Sequence, residues 1–242
     1  MALEYFRRWT ELTIDMKGHQ DFVSEADRNV ELAVRAALAQ AFPQDAIVGE
    51  EGAPVPGTSG YTWIIDPIDG TANFINGIPQ WCVILACVHQ GQIVLGVVHD
   101  ALHDEMHHAT LGGGAFCNDR PIRCSAKTSL SEGSLGVGYS GRRHYDGIRK
   151  LIDGCCEAGT MFWRNGSGGL SLAYVASGRI LGYVEEHMNS WDFMAGYLIV
   201  TEAGGRAEPI DTDRAIAQGA RIVVAGPGVF DAVQDLARKA YG

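Results

Sequence analysis

The sequence of 242 residues is short of several things, and each shortage excludes something. No apolar run reaches membrane-spanning length, so no transmembrane helix is expected. The beginning, Met1-Ala2-Leu3-Glu4-Tyr5-Phe6-Arg7-Arg8, lacks the apolar core of a signal peptide. Basic residues are few: 19 Lys and Arg stand against 29 Asp and Glu, a formal net charge of −10. That disfavours direct nucleic-acid binding, which needs a basic footprint. Six cysteines (Cys82, Cys87, Cys117, Cys124, Cys155 and Cys156) form no CxxC pair, and two lie in an apolar, strand-like run. Reduced thiols in a cytoplasmic protein are the expectation. There is no internal repeat, no low-complexity segment and no linker long enough to separate independent domains.

Motifs of other chemistries are missing too. Gly112-Gly113-Gly114 is not followed by Gly-Lys-Ser/Thr, so it is no phosphate loop. Gly136-Val137-Gly138 is too short for a dinucleotide fingerprint. No Gly-x-Ser-x-Gly elbow supports a serine hydrolase. His99, His103, His107 and His108 lie near Asp100, Asp104 and Glu105 without HExxH spacing, and read as a polar turn between strands.

What is present is a globular composition, 46% hydrophobic and 20% charged, in a chain long enough to bury a substantial core. Within it stands Trp63-Ile64-Ile65-Asp66-Pro67-Ile68-Asp69-Gly70-Thr71-Ala72-Asn73-Phe74. Trp63 to Ile65 read as a buried strand. Pro67 pushes Asp66 towards an extended conformation, so the strand should run up to that carboxylate. Gly70 lets the backbone approach a ligand, and the N–H groups of the next helix start would face an anion. Two carboxylates three residues apart suit Mg²⁺, which commonly works with a substrate phosphate. Taken alone, the same string could be a surface turn.

Two distant segments shift that balance. Gly49-Glu50-Glu51 precedes the motif; Trp191-Asp192, Ala195-Gly196 and Glu202-Ala203-Gly204-Gly205 follow far behind it. Together with Asp21-Phe22-Val23-Ser24-Glu25-Ala26-Asp27, these segments resemble the inositol monophosphatase family in order and spacing over roughly residues 17 to 242. The resemblance implies Mg²⁺-dependent, lithium-sensitive phosphatase activity. It also implies the layered α-β-α-β-α sandwich of the sugar-phosphatase type, an α+β / α/β fold. Residues 1–125 would form an N-terminal half with an antiparallel sheet and the metal motifs. Residues 126–242 would form a C-terminal α/β half completing the site, the two making one compact unit, with a homodimer as the default assembly.

In-line attack of water on a phosphate monoester needs an activated oxygen and a stabilised leaving group, and two divalent ions supply both. By resemblance, one Mg²⁺ would be held by Glu50, Asp66 and the Ile68 carbonyl, and a second by Asp66, Asp69 and Asp192. A third, weaker ion would sit near Glu50, giving two to three per site. Thr71 would orient the attacking water with Glu50, and the Gly70 and Thr71 N–H groups would hold the phosphate. Ser167 and Glu185 fall where the family contacts substrate. Each has an ordinary alternative: Asp192 and Ser167 as helix caps, Glu185 as a strand-end charge. Asp27 has a capping role open to it, and a water-mediated one at the metal shell. Glu51 reads as a solvated neighbour, and Lys17 corresponds only loosely to a basic residue near the family site.

Substrate identity rests on the variable residues around Ser167 and Glu185. Inositol 1-phosphate leads. Histidinol phosphate is the runner-up, and fructose-1,6-bisphosphate and 3′-phosphoadenosine-5′-phosphate are further family substrates. Asn189 falls where some inositol phosphatases carry His. A reading from another class is a regulatory partner of the transcription machinery, with hydrolysis secondary.

Periodicity predicts a helix over 28–42 started by Ser24 to Asp27 and ended by Pro43, and strands over 81–89 and 92–99 joined at Gln90-Gly91-Gln92. Further strands are predicted over 105–110, 115–123, 133–139, 180–185 and 221–225, and helices over 145–158, 168–177, 192–203 and 227–240. Family members begin with a longer first helix, whereas here only Met1 to about Thr10 could form it: either the start is late or the helix is shortened.

Overall fold

In the structure, a computed structural model, residues 1–18, 21–141 and 143–242 are described, with the backbone alone at 16–18, 21 and 22. The side chains of Lys17, Asp21 and Phe22 therefore lie outside the described residues.

Two short N-terminal elements, α1 (Ala2–Phe6) and the ribbon of β1 (Ile14–Gly18) and β2 (Asp21–Ser24), lead into α2 (Glu25–Ala41). A capping box starts α2: Ala26 N–H donates to Ser24 Oγ at 3.1 Å, and Ser24 N–H donates to Asp27 Oδ2 at 2.8 Å. Satisfying these first-turn amides lets the helix begin three residues before the expected start. It ends at Ala41, ahead of Pro43. The buried stripe of α2 is Ala26, Val30 and Leu38, whereas Ala33 and Ala37 face solvent. The charged Glu31 is buried within that stripe.

The larger sheet has seven strands in sequential order: β3 (Ala46–Gly49), β4 (Tyr61–Asp69), β5 (Cys82–His89), β6 (Gln92–Asp100), β7 (Glu105–Thr110), β8 (Gly114–Cys117) and β9 (Arg120–Pro121). Only β3 and β4 pair in parallel. The β5–β6 hairpin turns on Gln90 and Gly91, both at positive φ, as a two-residue turn of right-handed strands requires. The expected 115–123 strand is instead a second hairpin, because Asn118 takes a left-handed conformation and folds β9 back on β8. Between β4 and β5 lies α3 (Thr71–Phe74).

A five-stranded sheet follows, ordered β11-β10-β12-β14-β13. Its strands are β10 (Ser134–Val137), β11 (Met161–Trp163), β12 (Gly182–Met188), β13 (Arg206–Ala207) and β14 (Ala220–Ala225). The helices are α4 (Tyr145–Glu157), α5 (Gly168–Ala176), α6 (Ser190–Glu202), α7 (Thr212–Gln218) and α8 (Phe230–Tyr241). Helix α2 covers one face of the large sheet. α5 and α6 lie between the sheets, and α4 and α8 cover the far face of the small one. This is the expected α-β-α-β-α sandwich.

The central layer explains why α5 and α6 are apolar all round. Leu170, Leu172, Phe193, Met194 and Ile199 are fully buried because both helices have a sheet on each side. Each such side chain contributes roughly 1.5–3 kcal/mol by leaving water. The N-terminal edge is closed by aromatics: Phe6 lies 5.4 Å from both the Phe74 and Trp81 rings. Among the described residues no helix is long and apolar enough to cross a membrane, and all six cysteines are free thiols.

Candidate active site

The site begins with a parity problem. On a regular strand, residues three apart point to opposite faces, so Asp66 and Asp69 could not share a site. The β4–β5 register breaks between them: Asp66 pairs with Ile84 and Asp69 with Cys82, three residues against two. Pro67, which has no N–H for the ladder, lies in this bulge. The extra residue turns both carboxylates to one side. With Asp192 they form a cluster in which one oxygen from each carboxylate lies within 4.8 Å of the other two.

Asp66 is buried, and Ile68 N–H donates to its Oδ1 at 3.0 Å. Its carboxyl is pushed well above the usual carboxylate range, first by burial and then by the negative charges of Glu50, Asp69, Asp192 and Asp27. Glu50 is the strongest of those charges although it is distant in sequence. It follows β3, and its N–H donates to Ile65 O at 3.2 Å, so the parallel strand pair sets it beside Asp66.

Asp69 is held from the other half of the chain. Ser167 Oγ donates to its Oδ2 at 2.5 Å, Gly169 N–H to the same oxygen at 2.7 Å, and Gly168 N–H to Oδ1 at 3.3 Å. These donors belong to the first turn of α5, where N–H groups have no intrahelical acceptor. Burial nevertheless outweighs them and raises the Asp69 carboxyl. Ser167 also caps α5, accepting from Leu170 N–H at 3.2 Å. Its hydroxyl therefore positions Asp69, and capping is one of the two roles its sequence left open.

Asp192 sits in the first turn of α6, third residue in, because the helix starts two residues before the expected 192. Its Oδ2 accepts Asn189 N–H at 2.9 Å. The cap position is thus Asn189, and Asp192 reciprocates while its carboxylate joins the cluster.

Beyond β4 the chain must reverse at once, and Gly70 does this at φ +95. A side chain there would be strained, and its Cβ would lie 2.8 Å from Gln80 O. Thr71 then opens α3, with its hydroxyl 3.1 Å from Asp27 Oδ1 and 3.0 Å from Ile68 O. Asn73 Nδ2 donates to Gln80 O at 2.6 Å and to Asn165 O at 2.7 Å, tying α3 to the turn before Ser167.

A cleft of about 130 Å³ opens on the cluster, lined by Asp69, Asp192, Ser167 and Glu185 together with Arg164 and Tyr183. Glu185 is buried on β12, and Tyr183 Oη donates to its Oε2 at 2.6 Å. Arg164 and Tyr183, which line the cleft, were not legible as site residues.

The histidine-rich segment is divided by strand alternation. His107 is buried, His108 stacks on Phe116 and His103 meets Asp100 Oδ2 at 2.8 Å. Glu105, His107 and Cys117 converge, but Arg179 already grips Glu105 through both guanidinium nitrogens. The polar turn of the sequence lies at 101–104, between β6 and β7.

The Asp66, Asp69 and Asp192 cluster offers hard oxygen donors only, and burial, with the neighbouring negative charges adding to it, raises the Asp66 carboxyl. Such a donor set suits a divalent cation such as Mg²⁺.

Comparison with known proteins agrees. The sequence profile of the inositol monophosphatase family matches residues 1–239. An inositol-1-monophosphatase of Rhizobium meliloti is 41% identical over 197 residues, 80% of this chain and 74% of that protein. The Nus factor SuhB of Pseudomonas aeruginosa is 35% identical over 229 residues, 92% of this chain and 84% of that one. Among solved structures, an extragenic suppressor protein suhB from Bartonella henselae superposes with a TM-score of 0.92 at 31% identity, covering 98% of this chain and 93% of its own. An IMPase of Thermotoga maritima reaches 0.86 at 32% identity, covering 99% and 92%.

Proposed function

The chain belongs to the inositol monophosphatase family, and from that premise we propose that it hydrolyses inositol 1-phosphate with Mg²⁺. The observation that carries this is the cluster of three carboxylates from both halves of the chain beside a small polar cleft. In this reading Glu50, Asp66 and the Ile68 carbonyl would hold one ion, Asp66, Asp69 and Asp192 would hold a second, and a third would bind weakly near Glu50. Bound there, the cations supply charge neutralisation and activation of water.

The chain's own residues do the rest. Thr71, whose hydroxyl proton is directed at Asp27 or Ile68 O, keeps lone pairs to accept a hydrogen bond from the attacking water, with Glu50 as second partner. The Gly70 and Thr71 N–H groups hold phosphate oxygens. Ser167 acts on Asp69 at the rim of the cleft, and Glu185 accepts from substrate hydroxyls. We further propose a cytoplasmic homodimer that lithium inhibits.

The test is phosphate release, with and without Mg²⁺, from inositol 1-phosphate, histidinol phosphate, fructose-1,6-bisphosphate and 3′-phosphoadenosine-5′-phosphate. One strong Mg²⁺-dependent signal from inositol 1-phosphate supports the proposal. A stronger signal from another ester replaces the substrate, and silence from folded, Mg²⁺-binding protein removes the reading. A second reading, a regulatory partner of the transcription machinery, is favoured by the similarity to proteins named Nus factor SuhB. An Asp69→Asn variant that abolishes hydrolysis but leaves the cellular phenotype of the gene intact would favour it.

A further inference from the structure

The loop after β3 is fastened from outside the cluster. Glu31, on α2, is 2% exposed. Its Oε2 accepts Glu51 N–H at 2.8 Å and its Oε1 accepts Gly52 N–H at 2.8 Å. Arg35, one turn on, donates Nε–H to Glu31 Oε1 at 2.7 Å. The same guanidinium reaches back to the loop, donating to Gly52 O at 3.0 Å and Ala53 O at 3.2 Å. One ion pair thus satisfies two N–H groups and two carbonyls of the three-residue stretch 51–53.

Glu50 stands between two anchors. Its own N–H is bound to Ile65 O of β4, and the next two N–H groups are bound to Glu31. The flanking residues admit this closeness. A Cβ at Gly49 would lie 2.5 Å from Glu31 Oε1, and one at Gly52 would lie 2.9 Å from it. A buried, charge-assisted clamp is costly to break on one side, since the remaining partner is left desolvated. Helix α2 therefore fixes both Asp27, through the cap at its start, and the backbone that carries Glu50.

We propose that Glu31 and Arg35 are positioning residues: a buried ion pair that holds the Glu50 loop in the geometry needed to bind a divalent cation. This rests on the reading of Glu50 as a metal ligand. The clamp acts through the loop, so its loss should cost metal affinity most, and bound metal should restore the loop.

The test uses the full chain stripped of metal, with Mn²⁺ as probe. Affinity is read by calorimetry, and amide hydrogen exchange is read at Glu51 and Gly52. Glu31→Gln should weaken Mn²⁺ binding about tenfold or more, the usual effect of losing an outer-shell partner. It should also speed exchange at both amides, and saturating Mn²⁺ should slow that exchange again. Val34→Ala, on the same helix but packed against the apolar core, should destabilise α2 while leaving Mn²⁺ affinity unchanged. If Val34→Ala matches the affinity loss, general loosening of the helix explains it and the proposal falls. If Glu50→Gln weakens Mn²⁺ but Glu31→Gln does not, Glu50 is a ligand and the clamp is idle. Wild-type affinity in Glu50→Gln refutes the ligand reading and the clamp with it. Should Glu31→Gln fail to fold, Arg35→Met is read in its place. It keeps both Glu31-to-loop bonds, so a smaller loss in the same direction supports the clamp and wild-type affinity overturns it.

Discussion

Thr71 and Asp27, 44 residues apart, meet in a hydrogen bond of 3.1 Å between the hydroxyl and Oδ1. Asp27 is at the same time the capping-box carboxylate of α2, with Oδ2 bound to Ser24 N–H. Its two oxygens thus serve the fold and the site separately. Asp27→Asn can keep the cap through its oxygen while turning an amide towards Thr71. Thr71→Ala should lower kcat about a hundredfold, within the range of general acid–base contributions, with KM changed little. Asp27→Asn should produce a similar loss. Because the two act as one unit, the double variant should be little worse than either single one. Steady-state kinetics of the three variants checks this, and a pure KM effect in Thr71→Ala would remove the water-orienting role.

Asp66 is crowded by other carboxylates, with Glu50, Asp69, Asp192 and Asp27 all raising it beyond what burial does. A carboxyl raised in the folded state contributes stability that is present below its unfolded value of 3.8 and lost as pH rises through the folded value. The metal-free protein therefore loses stability from Asp66 as pH rises above about 4. Asp66→Asn keeps an oxygen for Ile68 N–H and removes the charge. It should raise the metal-free Tm, by a margin that grows with pH, while cutting turnover by orders of magnitude. Thermal denaturation of both proteins across pH, beside activity at one pH, decides the matter. A lower metal-free Tm at pH 7 would contradict the repulsion argued here.

The same repulsion has a proton signature. Carboxyls raised by burial and mutual charge hold protons that a cation must displace, and metal ligands bind deprotonated. Mg²⁺ binding should release protons at pH values above the ordinary carboxylate value of 3.8, fewer as pH rises further, and the Tm gained from Mg²⁺ should grow over the same rise. Calorimetry in two buffers of different ionisation enthalpy measures the release. Buffer-independent heats across the acid range would argue against it.

Strand, helix and metal motif were legible where one local signal dominated. Trp63 to Ile65 could only be a buried run, and Ser24 and Pro43 bracket α2 with residues that act locally. The carboxylates were legible as a set, but their convergence depends on a bulge at Pro67 that the sequence marks only by a residue unable to pair. Ser167 was read as a substrate contact or a cap. That its hydroxyl meets Asp69, 98 residues away, depends on how α5 enters between the sheets. β3, β11, β13 and α7 went unread because elements this short carry little periodicity. Glu31 was hidden for the opposite reason. A charge in an apolar stripe reads as noise until the loop that it binds is in place.

His107 supplies a pH test away from the site. Burial, opposed by Glu105 and Asp100 and assisted by Arg179 and His108, lowers its imidazole from 6.5 to about 4. The unfolded chain then binds the extra proton between those values, so stability rises with pH across that window and is lost towards its lower end. The full effect is at most about 3 kcal/mol. His107→Leu, which cannot titrate, should flatten the dependence of unfolding free energy on pH between about 4 and 6.5. Denaturant titrations at several pH values check it, and an unchanged slope would place the acid sensitivity elsewhere.

Glu185 lines the cleft, and its Oε2 accepts the Tyr183 hydroxyl at 2.6 Å. That bond fixes the carboxylate on a buried strand and orients it towards the cleft. A substrate hydroxyl or an amine would both suit such an acceptor, which is why inositol 1-phosphate and histidinol phosphate compete in the proposal. Charge separates them. Glu185→Gln keeps the size and one acceptor but removes the negative charge, so a cationic substrate should suffer more than a neutral polyol. The ratio of kcat/KM for histidinol phosphate over inositol 1-phosphate should fall about tenfold, a typical cost of losing a charged hydrogen-bond partner. Mg²⁺ dependence should not move, because the residue lies outside the carboxylate cluster. Tyr183→Phe should loosen the carboxylate and weaken both substrates together. An unchanged ratio in Glu185→Gln, with turnover intact, would remove Glu185 from substrate recognition and leave Arg164 as the charged side chain of the cleft to examine next.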